Sequence, residues 1–107
     1  NCTIDSFCEM VARTAEIMNV DNIGIGSDLC LNQPDEVVEW MRNGTWSKNK
    51  NYGEGSKNKA GFPEQPNWFK DARGFKNLEK GFKKVGFSDN ETNGILGNNW
   101  YNFYKNI

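Results

Sequence analysis

The stretch Val20-Asp21-Asn22-Ile23-Gly24-Ile25-Gly26-Ser27-Asp28 decides how the rest of the chain is read. Its composition predicts a short strand near 22–27 that ends in a carboxylate. Strand side chains alternate between faces, so Ile23, Ile25 and Ser27 project one way and Gly24, Gly26 and Asp28 the other. The first face is apolar enough to pack beneath helices, and the second is bare until Asp28. Glycine inside a strand marks close approach by another backbone or by a ligand. Open α/β sheets and (β/α)8 barrels gather their sites at the C-terminal ends of strands. Asp is equally a favoured turn residue, so the local pattern leaves both readings of Asp28 standing.

Upstream of this stretch the pattern is helical. Ile4, Phe7, Val11, Thr14/Ala15 and Met18 recur at three- and four-residue spacing, which predicts an amphipathic helix over 4–18. Thr3 suits its N-cap, Asp5 suits the positive end of its dipole, and Asn19 can take the left-handed position after its last turn.

Downstream, Pro34 fits a first helical turn followed by Asp35 and Glu36, and Val37, Val38, Trp40 and Met41 form an apolar side that Asn43-Gly44 ends. Residues 44–66 lose all periodicity and read as an irregular loop. A short helix or turn is expected near 67–72 and a firmer helix over 75–84. Ser88-Asp89-Asn90-Glu91 has the form of a capping box and starts a helix over 92–96. Gly97-Asn98 interrupts it before a last turn or two over 99–105. The aromatic stripe of Phe75, Phe82, Trp100, Phe103 and Tyr104 reads as core.

One strand cannot form a sheet, because its N–H and C=O groups need partners that no other segment plainly offers. The strand is therefore expected to pair with a copy of itself, or with neighbours outside these residues. Self-association of the chain follows from either case.

The 107 residues suffice for one domain or less, and residues 1–107 read as a single partial domain. A net charge of −1 supplies no global field to draw nucleic acid. Trp46 and Tyr52 interleave with Lys48, Lys50, Lys57 and Lys59, but Glu54 and the negative balance favour a solvated loop over a nucleic-acid patch. No apolar run reaches the roughly 18 residues of a membrane span. Three cysteines, Cys2, Cys8 and Cys30, are an odd number with no paired spacing. Histidine is absent, which removes the commonest general base and zinc ligand. Neither a phosphate loop at Gly53–Lys57 nor a dinucleotide fingerprint at Gly24–Leu29 has the required spacing.

Four separated motifs occur in a telling order. They are Asn19 to Asp28, then Phe62-Pro63-Glu64, then Gly74-Phe75-Lys76-Asn77-Leu78, then Gly86-Phe87-Ser88 through Ile95-Leu96-Gly97-Asn98-Asn99-Trp100. Together they resemble the C-terminal part of the renal (membrane) dipeptidase family of zinc metallopeptidases, over essentially the whole chain. The resemblance implies an α/β fold, the C-terminal segment of a (β/α)8 (TIM-type) barrel, mostly helical in isolation. Residues 23–27 would be its last strand, with helix 4–18 as the seventh helix. It implies a dipeptide substrate and two zinc ions in the intact parent enzyme, with none bound by this segment alone. Asp28 alone inherits a catalytic and substrate-binding role, assisting proton transfer or holding the tetrahedral intermediate. The chain departs from the family at Asn22, where His is usual, and at Leu29-Cys30-Leu31, where Phe-Asp-Gly is usual. A complete barrel needs about 250 residues, so the segment is expected to be inactive by itself. The alternative is a small helical binding or oligomerisation module without catalytic activity.

Overall fold

Thr3 opens the first helix by accepting a hydrogen bond from the backbone N–H of Ser6 at 3.1 Å, and α1 then runs Ile4–Met18. The structure, a computed structural model, describes residues 2–29, 31–34, 36–37 and 65–107. A 3-10 turn, Val20–Asn22, follows α1, and a second one, Ala72–Gly74, leads into α2, Phe75–Lys84. The chain ends with α3, Asp89–Asn93, a wide turn Gly94–Asn98, and α4, Asn99–Lys105. Residues 1–28 and 66–107 form one unit, and 29–65 form another. In the second unit the N–H of Val37 bonds the carbonyl of Pro34 at 3.0 Å, as expected for a helix starting there. The remainder of the 44–66 loop up to residue 64, and Cys30, lie outside the described residues.

Among the described residues there is no strand, sheet or barrel, so the α/β expectation is overturned and this unit is helical. Residues 20–22 coil into a 3-10 turn, and Ile23 is extended without joining a ladder. The reason lies in where the backbone groups go. Ile25 N–H bonds the carbonyl of Ile95 at 3.3 Å, and the indole N–H of Trp100 donates to Ile25 O at 3.1 Å. The side-chain amide of Asn99 donates to both Val20 O and Ile23 O. Helical residues thus supply partners that a neighbouring strand would supply in a sheet.

The core joins Cys8 and Val11 of α1, Ile23, Leu78 and Phe82 of α2, and Ile95 of the wide turn. Gly81 allows α1 and α2 to approach closely, since a Cβ there would stand 2.5 Å from Cys8 Sγ. Burial pushes the Cys8 thiol up from its ordinary value, with Asp5 adding to the effect, so this sulfur is an inert core group. Aromatic rings extend the core sideways: Phe7 lies 5.3 Å from Trp68, and Phe69 meets Phe75 edge-on at 5.0 Å.

Helix α2 ends in a Schellman motif, with Gly86 at φ 103° donating to Lys83 O and Phe87 N–H reaching back to Phe82 O. The Phe82 and Phe87 rings meet edge-on across it at 5.7 Å. The capping box at Ser88 forms as expected, Ser88 Oγ accepting from Glu91 N–H while the Glu91 carboxylate accepts from Ser88 N–H.

The aromatic stripe is corrected in its second half. Phe82 is fully buried and Phe75 half-buried, but Trp100, Phe103 and Tyr104 are exposed. These three rings contact one another, with Trp100 and Tyr104 stacked at 5.8 Å.

Candidate functional site

The candidate site is the Ile23–Asp28 segment together with the helical residues that hold it. Ile23 is buried and Ile25 half-buried against the core, while Gly26, Ser27 and Asp28 are exposed. Burial falls off along the segment instead of alternating: Gly24 is half-buried like Ile25, and Ser27, expected to face inward with the isoleucines, is exposed with Gly26 and Asp28. Apolar side chains anchor its first half, Trp100 covers Gly24, and residues 26–28 are exposed.

Two features of the chain's last turns make this anchoring possible. In an α-helix the Ile95 carbonyl would accept from Asn99 N–H; here that N–H bonds Gly94 O, one residue further back. Ile95 O is thereby released to receive Ile25 N–H. Such wide turns occur often at functional positions because they free a backbone group of this kind. Gly94 leaves room for the Asn99 side chain, whose Oδ1 would lie 2.8 Å from a Cβ on residue 94.

The half-buried Asn99 amide bonds Val20 O at 2.9 Å and Ile23 O at 2.8 Å, bridging the 3-10 turn and the extended segment. Trp100 lies directly over Gly24, where any Cβ would fall on the indole nitrogen and ring carbons. The glycine read as a mark of close approach thus receives an aromatic ring of its own chain. Asn99 and Trp100 escaped the sequence reading, in which they belonged only to a motif and to an aromatic stripe. The signal that points to Asn99 is an amide placed where α4 first turns toward apolar residues.

Asp28 closes the segment as an exposed carboxylate at φ 46°, beyond the last tie to Trp100. A non-glycine residue with positive φ is uncommon, and Asp is among those that tolerate it. Its side chain is accessible, it is carried on an anchored stalk, and among the described residues it joins no ion pair.

Among the described residues no three His, Cys, Asp or Glu side chains come together to hold a metal ion. The described residues by themselves therefore do not make a zinc centre. Cys2 is exposed with a free thiol, and Cys8 is locked in the core. Trp46, Tyr52 and the lysines at 48, 50, 57 and 59 lie outside the described residues. No helix among the described residues is long and apolar enough to cross a membrane. No family model, curated protein or solved structure matches the chain.

Proposed function

We propose that this chain is the C-terminal portion of a zinc-dependent dipeptidase related to the renal dipeptidases, and that Asp28 is its contribution to the catalytic centre. The observation that carries this reading is the exposed carboxylate of Asp28 at the end of the anchored 23–28 segment, inside the first of the four ordered motifs. An aspartate that must meet a substrate needs both exposure and a fixed base, and the bonds from Ile95, Asn99 and Trp100 supply the second.

In the intact enzyme, two zinc ions would activate water and polarise the scissile carbonyl. Their ligands belong to parts of the enzyme other than this chain, which has no histidine. The task left to Asp28 is to hold or pass a proton at its carboxylate oxygens beside the peptide bond.

The test starts from the reading frame upstream of Asn1, which should encode a His-x-Asp strand and further His and Glu ligands. The enzyme expressed from that frame should hydrolyse dipeptides, and Asp28→Asn should lower kcat by roughly 10²–10⁴-fold with little change in KM. The 107-residue chain alone should show no turnover at any zinc concentration. Full kcat in the Asp28→Asn enzyme, or chelator-sensitive turnover by the isolated chain, refutes the proposal.

A second reading, a small helical binding module, draws on the exposed rings of α4, with Tyr101 at 66% and Phe103 at 59% exposure. It differs in its consequence: the cell would make the chain by itself, and Asp28→Asn would leave its function intact.

A further inference from the structure

Helix α2 carries a lysine on three successive turns, Lys76, Lys80 and Lys84, at a spacing that sets them along one side. They line a groove of about 790 Å³, a size within the range of small-molecule sites. Ile4 and Asp5 of the first turn of α1 and the half-buried Trp68 supply its other walls.

The charges in this groove do not balance. Asp5 is the one carboxylate among its walls, and Lys84 takes it up, ammonium to carboxylate at 2.6 Å. Lys76 and Lys80 make no ion pair or hydrogen bond among the described residues, and Glu79, between them in sequence, pairs with neither. Like charges one turn apart on a helix repel each other. A chain whose net charge is −1 thus keeps two uncompensated ammonium groups side by side over a groove.

We infer that this groove binds a small organic phosphate monoester, its phosphate group held by the Lys76 and Lys80 ammonium groups. Such a phosphate carries close to two negative charges at neutral pH and three acceptor oxygens, which suits two ammonium groups with three donors each. A lone carboxylate would answer the charge of only one. Beside the phosphate, Trp68 and Ile4 offer apolar surface to the organic body of the ligand. Asn67 and Asn77 offer amides to its polar groups: Asn67 has no hydrogen bond among the described residues, and Asn77 uses only its Nδ2, which donates to Trp68 O at 2.6 Å. No residue of the 23–28 segment lines the groove, so the inference is independent of the dipeptidase reading.

Isothermal titration calorimetry of the 107-residue chain with phenyl phosphate should show saturable binding. Its affinity should exceed that for inorganic phosphate by at least about threefold, because the ring buries apolar surface. Lys76→Gln and Lys80→Gln should each weaken binding by about tenfold or more, the loss of one charge-assisted hydrogen bond. Lys105→Gln removes the same charge from α4 and should leave the affinity within about twofold of the parent. In the parent chain, phenyl phosphate should shift the amide NMR signals of Lys76 and Lys80 and leave that of Lys105 in place, a readout that needs no variant to fold. Four outcomes overturn the inference: no saturable binding, equal affinity for phenyl and inorganic phosphate, a Lys105→Gln loss as large as the others, or Lys76→Gln and Lys80→Gln chains that bind like the parent.

Discussion

Asn99→Ala removes a single amide that serves two backbone carbonyls, Val20 O at 2.9 Å and Ile23 O at 2.8 Å. A net intramolecular hydrogen bond contributes about 0.5–1.5 kcal/mol, so losing both costs about 1–3 kcal/mol. Alanine returns up to about 0.7 kcal/mol through its helix propensity at the start of α4. The expected net loss is therefore about 0.3–3 kcal/mol, at its middle a fall of several degrees in Tm for a domain of this size. Asn99→Asp should cost more, since it keeps the volume but turns an acceptor-only carboxylate toward two carbonyl oxygens. Urea unfolding followed by far-UV circular dichroism measures the loss. Amide exchange at Ile25 locates it, because that N–H depends on the segment staying against Ile95. Asn99→Ala within about 0.3 kcal/mol of the parent, with unchanged exchange at Ile25, would refute the claim that side chains of α4 stand in for a neighbouring strand.

Three further outcomes are expected. Gly81→Ala drives a Cβ to 2.5 Å from Cys8 Sγ and should destabilise by about 1–3 kcal/mol. Cys8→Ala in the same chain should recover part of that loss, and a double-mutant cycle with no coupling would show that α1 and α2 do not meet there. Thr92 is buried and its hydroxyl has no hydrogen-bond partner among the described residues, so Thr92→Val should be neutral or stabilising by up to about 1–2 kcal/mol in chemical denaturation. Hydrogen bonds from the Arg73 side chain, and then from its backbone N–H, lower the Asp71 carboxyl to about 2. A depressed carboxylate contributes stability that is present above its unfolded value and lost as pH falls through about 2. NMR titration should place Asp71 there in the parent and near the ordinary carboxylate range in Arg73→Gln.

The local elements were legible because each is encoded by neighbours a few residues apart. The 4–18 periodicity with Thr3 before it, the Phe75–Lys84 pattern, and the Ser88/Glu91 capping box all appear where their residues put them. Asn19 does adopt a positive φ, 70°, but its ψ of 140° lies away from the left-handed helical basin. The Schellman end at Gly86 was also encoded locally and was overlooked. Misreading concentrated where one segment meets another. A buried stripe over Phe75–Tyr104 assumed that α4 returns to the core, and its rings instead contact one another outside it.

The 20–28 stretch divides the two kinds of information most clearly. Its sequence by itself determined that Ile23 and Ile25 turn inward, that a glycine follows each of them, and that a carboxylate stands at the end. These follow from the side chains of consecutive residues. It did not determine what would satisfy the backbone, because the partners Ile95, Asn99 and Trp100 lie some seventy residues away. Whether those N–H and C=O groups meet a strand or a helix depends on one displaced hydrogen bond at Gly94 and on an indole fitting over Gly24. Both are products of packing, so only the tertiary structure could turn an expected strand into a segment held by helices.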